Sequence, residues 1–574
     1  MSKTIAYLLA QLISCMGVVI LCTIPADASA ADVIEDRIHN LLVQTVKPDS
    51  PGCAVIVIDD GRIVLKRGYG IANMDTGLPI TTATAFNIES VSKQFTAACI
   101  ALLVEKGEIS LDDDIRKYLP EIPTYECPVK IRHLIHHSSG IRDFEILRFL
   151  KGISLDDPCS ERELLDLIAR QKQLNFRPGD TERYTNSGYF LLGVIIKRVT
   201  GMSVGQYAEK HIFGPLGMTH TSYHYDPIRT GGNLAVPHVS DSDGKYHAKH
   251  VALDANDFGY GGIHTTVEDL YLWDQNFFRN KTGGDNFNAL MMTCGTTNKG
   301  DTLNYAFGLR ISDYMGLRTV SHGGGSLGYN AFMLRFPERK FSVICLANYP
   351  LNTSTLCYKI ADLCLSIQRE KTEPVPAPQT VADVDPATYA GYEGIYRMDD
   401  GTTFIISTSD NRLFIQQPGA RPVELHPKST TEYFLKGINL EVSFSPDENG
   451  TISKLVCHQN GHQGSARRLN RRPLSGDQLS EYEGQYYSDE LNVALGVYVN
   501  HGQLCLKAPR VPDIFQFNFS DPDGANVLKH MVDDQFMRSY GTIEFSRDGN
   551  GRIAGFALHA GDNLKNLKFT KQSS

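Results

Sequence analysis

Apolar residues near both ends of the first 370 positions fall in short runs that are typical of β-strands. Residues 51–70 contain two such runs on either side of the turn sequence Asp59-Asp60-Gly61, and they predict a β-hairpin. Residues 330–336 and 341–348 repeat this arrangement around a proline-containing turn. Because these strands flank a helical middle, we expect one antiparallel sheet assembled from both ends of the segment.

The residues between these strands have helical patterns. Residues 90–105 are apolar on nearly every face, which predicts a buried helix that stops near Gly107. A second helix is predicted for residues 187–199, and a third begins after Thr266, a suitable N-cap. Residues 353–369 predict a helix that closes this region. The predicted fold class is therefore α/β (α+β), with a sheet flanked by helices and an all-helical part.

The pattern changes after residue 370. Prolines in residues 371–388 predict a stiff, exposed linker, beyond which short strands alternate with glycine turns. Tyr392-Glu393-Gly394 and Tyr482-Glu483-Gly484 open two similar segments, which predict two small antiparallel β-barrels; the alternative is one larger sandwich. The predicted divisions are a signal peptide at 1–30, a main domain at 31–370, the linker at 371–388, and barrels at 389–472 and 473–574.

The N-terminal residues predict export. Lys3 precedes an apolar run from Ile5 to Ile24, and Ala28-Ser29-Ala30 has the small-residue pattern of a signal-peptidase site. The length of the apolar run leaves a membrane anchor as the alternative. We expect cleavage near Ala30 and a periplasmic or secreted protein without stable membrane insertion after cleavage.

Composition narrows the classes of function. The 574 residues carry a net charge of −9 and no basic cluster, which argues against a nucleic-acid partner. The cysteines are scattered and form no Cys-x-x-Cys pair, so neither a zinc knuckle nor a redox motif is predicted. No cofactor is expected, and the sequence leaves the oligomeric state open.

The first of three chemical motifs is Ser90-Val91-Ser92-Lys93. Ser90 and Lys93 are three positions apart at the start of the buried helix, so their side chains share one face. Free N–H groups at a helix start favour an anion. The same positive end and burial lower the pKa of a lysine, which allows a neutral amine to take the serine proton.

The second motif is Tyr184-Thr185-Asn186, in a loop before the helix at 187–199. Tyr184, as a phenolate held by a nearby lysine, is expected to act as a general base and then to return a proton to the leaving group. Asn186 is expected to donate a hydrogen bond to a substrate carbonyl.

The third motif is His322-Gly323-Gly324-Gly325, which precedes a strong strand. Its glycines, Gly324 among them, allow close backbone approach at a strand edge. The N–H groups of Gly325 and Ser90 would together form an oxyanion hole. His322 is expected to orient a substrate carboxylate or to support Tyr184. Each motif also occurs elsewhere by chance, and only their ordered combination is specific.

The ordered set resembles the serine β-lactamase and penicillin-binding-protein superfamily. The resemblance is to the branch with class C β-lactamases, D-alanyl-D-alanine carboxypeptidases, D-aminopeptidases and esterases, and it covers about residues 35–368. It implies a β-lactamase-like catalytic domain with Ser90 as the nucleophile, Lys93 and Tyr184 as the proton-transfer pair, and no metal. Asn186 would contact the substrate.

Two features depart from the pattern of the β-lactamases. His322 stands where those enzymes usually carry a lysine, and a neutral histidine offers no fixed charge for a carboxylate. The chain also has no class A deacylation motif of the form Glu-x-x-Leu-Asn.

We therefore expect an exported serine hydrolase acting through a Ser90 acyl-enzyme on a small amide, short peptide or ester, most nearly a D-amino-acid peptidase. The alternative is a β-lactamase or carboxylesterase of the same fold. The non-enzymatic hypothesis is a protein that binds cell-wall peptides.

Overall fold

A computed structural model gives the fold. It describes residues 30–572 except 154–156, 225, 227, 229–231, 242, 250–257, 327, 366–380, 399–401, 418–421, 436–439, 460–461, 470–473, 508–526, 533–534, 539–540 and 561–563. The predicted signal peptide up to residue 29 and the first part of the predicted linker lie outside the described residues.

A six-stranded antiparallel sheet forms the centre of the first 370 residues. Its strands are β1 (Cys53–Asp59), β2 (Arg62–Tyr69), β3 (Arg310–Tyr314), β4 (Leu317–Ser326), β5 (Tyr329–Phe336) and β6 (Phe341–Ala347), in the order β2-β1-β6-β5-β4-β3. Strand β1 pairs with β6 along its full length, from Cys53 opposite Ala347 to Asp59 opposite Phe341. The prediction of one sheet built from both ends of the segment is confirmed.

Helices cover both faces of this sheet. The main ones are α1 (Ala30–Thr45), α2 (Lys93–Glu105), α3 (Phe144–Leu150), α4 (Asn186–Thr200), α5 (Val267–Arg279) and α6 (Thr353–Leu365). Other helical segments are Glu89–Ser92, Ile115–Lys117, Ile131–Ile135, Glu161–Ala169, Val204–Ala208, Glu209–Phe213, Gly214–Leu216, Phe287–Met291, Pro337–Arg339, Pro386–Gly391 and Gly476–Ser480. Short strands pair as Ile71–Asn73 with Leu78–Pro79, Phe86–Asn87 with His264–Thr265, and His238–Ser240 with Tyr246–Ala248.

Alternate residues of β1 face two different apolar cores, as the two-residue period of a strand requires. Val55 and Val57 join a core with residues of α1 and α6. Ile56 and Ile58 join the larger core that contains the buried helix α2. Both faces of the sheet are therefore buried, which explains why β1 reads as an unbroken apolar run.

The helix ends follow the capping signals of the sequence. Thr185 caps α4 by accepting a hydrogen bond from the Ser187 amide, and Gly201 ends that helix with a φ of 73°. Thr266 caps α5 in the same way, with its hydroxyl accepting from the Asp269 amide at 3.1 Å. These caps satisfy N–H groups that have no partner inside the helix.

The C-terminal part forms two closed, eight-stranded antiparallel barrels rather than one sandwich. The first barrel consists of Gly394–Met398, Thr403–Ser409, Arg412–Gln416, Val423–Pro427, Glu432–Phe434, Leu440–Pro446, Ile452–Gln459 and His462–Arg468. The second consists of Gly484–Ser488, Val493–Asn500, Gln503–Lys507, Val527–Val532, Gln535–Arg538, Gly541–Arg547, Ile553–Ala560 and Leu564–Lys571.

The two barrels repeat the same internal contacts. A fully buried tyrosine near the start of each donates to the carbonyl four residues earlier, Tyr396 to Tyr392 at 2.8 Å and Tyr486 to Tyr482 at 2.6 Å. This agreement supports the internal repeat inferred from the sequence.

Two further features concern the described residues as a whole. Their cysteines are all free thiols. None of their helices is both long and apolar enough to cross a membrane.

A buried ion pair joins α5 to the sheet, and its loss is expected to destabilise the fold. Asp274 accepts from Arg335 Nε at 2.7 Å and from Ser342 Oγ at 2.9 Å, and all three side chains are buried. Asp274→Ala leaves the Arg335 charge without its partner, so the free energy of unfolding in urea should fall by about 3–5 kcal/mol.

A matched control is the exposed pair in which Lys340 Nζ lies 3.0 Å from Asp60 Oδ1. Asp60→Asn should leave the urea midpoint unchanged, because exposed ion pairs contribute little and asparagine tolerates the φ of 45° at this position. A wild-type midpoint for Asp274→Ala would contradict the role of the buried pair.

Candidate active site

A tight turn presents Ser90 at the entrance of the buried helix α2. The 3₁₀ turn Glu89–Ser92 runs directly into α2, so Ser90 and Lys93 lie one turn apart. Glu89, just before the serine, has a φ of 49°, which is uncommon for a residue with a side chain. Such local strain is often found next to reacting groups.

Lys93 is fully buried and has three polar neighbours. Its Nζ lies 2.9 Å from Ser90 Oγ, 2.7 Å from Asn186 Oδ1 and 2.7 Å from the carbonyl oxygen of Tyr260. The two carbonyl oxygens accept but cannot donate. A neutral amine at this position therefore directs its two N–H groups to them and its lone pair towards the Ser90 hydroxyl.

The environment of Lys93 favours this neutral form. Burial lowers the pKa of Lys93 to about 7, against the opposing effect of the nearby carboxyl groups of Glu145, Asp143 and Glu89. A base near neutrality is well matched to proton transfer at physiological pH. Lys93 is therefore able to accept the Ser90 proton directly.

The carboxylate of Asp143 fixes the backbone of Asn186. The Asp143 side chain accepts from the Asn186 amide at 2.7 Å and from the Thr185 hydroxyl at 3.0 Å. The side chain of Asn186 contacts Lys93 through its oxygen and also hydrogen-bonds Glu145. Asn186 therefore orients the lysine, a function that the sequence did not indicate.

Tyr184 lies beside Ser90 and Lys93, with its hydroxyl group buried next to the Ser90 hydroxyl. Lys93 Nζ lies 4.9 Å from the centre of the Tyr184 ring. The centre of the His137 ring lies 4.2 Å from the centre of the Tyr184 ring. Burial raises the pKa of Tyr184 above its usual value of 10, with only partial opposition from the neighbouring Ser90 hydroxyl.

The raised pKa of Tyr184 disfavours the phenolate form that the sequence analysis predicted. A neutral Tyr184 is a donor, suited to giving a proton to a leaving group, while Lys93 is the better base towards Ser90. The physical reason is desolvation, which penalises the charged form of the phenol.

The glycine-rich run lies in strand β4 and precedes β5, as expected, and Gly323–Gly325 pair with residues 330–332 of β5. At Gly324 the strand passes very close to the turn that carries Ser90. A Cβ on Gly324 would lie 2.2 Å from the Ile88 oxygen and 2.9 Å from the Ser90 nitrogen. Only glycine allows this approach, which brings the backbone of β4 beside Ser90.

His322 is buried and neutral. Burial lowers its pKa to about 3, and Lys93 contributes in the same direction. Its Nδ1 lies 2.6 Å from the Gly323 carbonyl oxygen, which requires the proton to be on Nδ1, and its Nε2 then accepts from the Tyr305 hydroxyl at 2.8 Å. Both ring nitrogens are therefore occupied by the protein itself.

A cleft of about 370 Å³ opens beside these groups. It is lined by Ser90, Tyr184, Tyr305, Arg310, Ser321, His322, Gly323, Gly324, Gly325 and Phe332. Arg310 was not indicated by any sequence motif. Its side chain is 45% exposed, bonds Glu182 at 3.0 Å, and lies 5.5 Å from the centre of the Tyr305 ring. The cleft thus contains the fixed positive charge that His322 does not supply.

Two carboxyl groups on the other side of Ser90 were also missed. Glu145 hydrogen-bonds Asn186, and Glu89 Oε2 lies within 4.0 Å of the Cβ position of Gly261. Burial raises the pKa of Glu89 to about 7 and that of Glu145 to about 8. The site therefore has acidic groups near Asn186 and a basic group near β4.

Comparison with known proteins agrees with this geometry. The sequence model of the Beta-lactamase family matches residues 34–360, more than half of the chain. The chain belongs to the Beta-lactamase family. It is a serine hydrolase of that family, and its β-lactamase-like fold confirms the fold class expected from the sequence.

Relatives of this Beta-lactamase family member span most of its length. Penicillin-binding protein 4* of Bacillus subtilis is 29% identical over 72% of this chain and 94% of its own length. A D-aminopeptidase of Brucella anthropi is 26% identical over 78% of this chain and 80% of its own. The structure of an octameric penicillin-binding protein homologue from Pyrococcus abyssi has a TM-score of 0.53 at 23% identity, covering 83% of this chain and 98% of that one.

The close approach at Gly324 generates a testable prediction. Gly324→Ala must move either β4 or the Ser90 turn, so the rate of labelling by a fluorophosphonate should fall by about a hundredfold, the loss typical of a damaged oxyanion site. The control is Gly325→Ala, which keeps its N–H and whose Cβ would meet no atom closer than 3.5 Å. Equal labelling rates for the two variants would contradict the steric argument.

The buried amine predicts a pH dependence. Lys93 accepts a proton only when neutral, so its competent fraction rises as pH increases through the Lys93 pKa of about 7. For an ester substrate, kcat/KM should fall by about tenfold per pH unit below that value. A rate that is constant from neutral pH to pH 5, with circular dichroism showing an intact fold, would exclude Lys93 as the base.

Proposed function

We propose that this protein is an exported serine hydrolase that cleaves D-amino-acid peptides or amides through an acyl-enzyme on Ser90. The observation that carries the proposal is the placement of Lys93 Nζ 2.9 Å from Ser90 Oγ, with two carbonyl oxygens occupying its other hydrogen-bond directions. This arrangement activates a serine without a histidine-aspartate pair.

The reaction would proceed in two halves. Neutral Lys93 takes the Ser90 proton, and the serine oxygen attacks the substrate carbonyl. The N–H groups of Ser90 and Gly325 receive the negative charge of the tetrahedral intermediate. The proton then passes by way of Tyr184 to the leaving nitrogen, and water releases the acyl group by the same route in reverse.

The charge at the cleft favours a short peptide whose departing portion ends in a carboxylate. Arg310 lies beside the β4 glycines, where the departing portion of the substrate and its carboxylate would bind. The D-aminopeptidase relative from Brucella anthropi supports this substrate class.

A second candidate is recognition of β-lactams. Arg310 offers a fixed charge to the β-lactam carboxylate, a function that neutral His322 cannot fulfil. The relative named penicillin-binding protein 4* supports the same possibility. Both candidates use the same Ser90 ester and differ in how fast water removes it.

Export is proposed from the signal-like residues before Ala30. N-terminal sequencing of the protein recovered from the periplasmic fraction or the medium is the direct check. An N-terminus at Met1 would reject cleavage.

Two measurements test the proposed chemistry: release of p-nitroaniline followed by absorbance, and intact-protein mass spectrometry after incubation with benzylpenicillin. Wild-type protein should release p-nitroaniline from D-alanine p-nitroanilide, whereas Ser90→Ala should lose about three orders of magnitude or more of activity, as expected when a nucleophile is removed. A persistent benzylpenicillin adduct on wild-type protein alone would favour the second candidate. Full hydrolysis by Ser90→Ala would reject the acyl-enzyme.

Arg310 provides the test of substrate class in the same assay. Arg310→Gln should raise KM for a D-alanyl dipeptide by about tenfold while leaving KM for the anilide unaffected, because only the dipeptide has a carboxylate. Arg318→Gln is the control, since Arg318 is an exposed arginine of β4 outside the cleft lining. An equal effect on both substrates would remove Arg310 from carboxylate binding.

A further inference from the structure

The second barrel reaches into the catalytic domain through a buried polar cluster. Arg142, which is fully buried, donates to Glu490 Oε2 at 2.7 Å and to Gln171 Oε1 at 2.9 Å. It also donates to the carbonyl oxygens of Lys565 and Asn566 at 2.9 and 3.0 Å. Four acceptors from two domains therefore surround one guanidinium group.

Glu490 is equally committed to this cluster. It is 5% exposed and accepts a second hydrogen bond, from the Lys172 amide at 2.7 Å. Further bonds flank the pair: the Lys565 amide donates to Asn175 at 2.8 Å, and the Asn566 side chain donates to Gln173 at 2.6 Å. The apolar core also runs without a break from the catalytic domain into the second barrel.

Arg142 immediately precedes the residues that hold the catalytic asparagine. Its own carbonyl oxygen accepts from the Ser187 hydroxyl at 2.8 Å. Ser187 Oγ in turn accepts from the Phe144 amide at 2.8 Å. Between them, Asp143 binds the Asn186 amide at 2.7 Å. The segment 142–145 and the start of α4 are therefore tied together on both sides of Asn186.

We propose that the second barrel is an integral part of the catalytic centre, in which Glu490 holds Arg142 and Arg142 fixes the segment from which Asp143 positions Asn186 and, through it, Lys93. Arg142 and Glu490 are positioning residues, since neither touches the substrate. The proposal rests on the proposed function of Ser90, Lys93 and Asn186. If the second barrel separated from the catalytic domain, Arg142 would lose its partner Glu490 and activity would fall.

The charge of Glu490 is the part of the cluster that can be changed with least disturbance. Glu490→Gln keeps the shape of the side chain and an oxygen for both donors, but it leaves the buried Arg142 charge uncompensated. The neighbouring Asp489 forms an exposed pair with Lys172, 3.4 Å apart and 66% and 72% exposed. Asp489→Asn is therefore a matched control that removes a carboxylate from the same turn without reaching Arg142.

Hydrogen exchange of the full-length protein without substrate measures the coupling directly. In Glu490→Gln, amides in segments 142–150 and 184–190 should exchange about tenfold faster than in wild type, because a loosened segment opens locally more often. Asp489→Asn should match wild type there. Faster exchange confined to the contact residues 171–175 and 564–567, with 184–190 unchanged, would overturn the proposal and leave the cluster a purely structural contact.

Fluorophosphonate labelling measures the consequence for the site. Labelling of Ser90 should slow by about tenfold in Glu490→Gln and by less than about twofold in Asp489→Asn, in line with couplings within one hydrogen-bond network. Glu490→Asp, which restores the charge, should recover part of the rate. Equal rates for the Gln and Asn variants would overturn the proposal.

A second variant keeps the test decisive if Glu490→Gln does not fold. Gln171→Met removes one acceptor of Arg142 from the catalytic side, together with the 3.3 Å hydrogen bond from Gln171 to the Glu490 carbonyl oxygen, and leaves the Glu490 carboxylate unchanged. It should produce the same pattern of faster exchange at 184–190, and wild-type exchange there would overturn the proposal. If wild-type protein is not labelled at all, the proposed function fails, while the exchange measurement still decides whether the barrel positions Asn186.

Discussion

The removal of Lys93 from water sets the conditions for everything else at the site. Desolvation alone would drive the amine fully neutral, whereas Glu145, Asp143 and Glu89 stabilise its charge, and the pKa of about 7 is the balance of the two effects. At this balance the amine is both available as a base and able to hold the proton it receives. Ser90, Asn186 and the Tyr260 carbonyl occupy its three hydrogen-bond directions.

The backbone around the lysine is fixed on one side by close packing and on the other by a side-chain carboxylate. Strand β4 reaches the Ser90 turn only because Gly324 has no Cβ, and β4 is in turn anchored in a sheet whose centre is the pairing of β1 with β6. Asp143 secures the opposite side through the amide of Asn186. Ser90 and Lys93 thus lie between two fixed segments of backbone, an arrangement that suits groups which must meet in one geometry.

Neutral and charged groups divide the cleft in a way that separates this protein from a lysine-bearing β-lactamase. Hydrogen bonds to the Gly323 carbonyl oxygen and from the Tyr305 hydroxyl fix the tautomer of His322. Because burial lowers its pKa to about 3, the imidazole is uncharged. The positive charge comes instead from Arg310 on the neighbouring strand. Enzymes that share one chemistry can differ in substrate, because residues in the wall of the pocket, such as Arg310 here, set which substrate binds.

Local features of the sequence determined the elements and the core of the site. Short apolar runs predicted β1, β2, β5 and β6, an all-round apolar run predicted α2, and Thr266 marked a helix start, because each signal arises from neighbours within a few residues. The three-residue spacing of Ser90 and Lys93 belongs to the same class, since one helical turn brings them together. The internal repeat likewise predicted two barrels, which the structure contains.

Only the tertiary structure decided the rest. Glycines carry no hydrophobic period, so the sequence did not predict the bounds of β4 or its pairing with β5. Arg310 and Glu145 enter the site through packing, and Arg142 meets Glu490 across 348 positions. The neutral state of Tyr184 depends on how deeply distant segments bury it. Burial and long-range contact are properties of the packed chain, and no local pattern of residues encodes them.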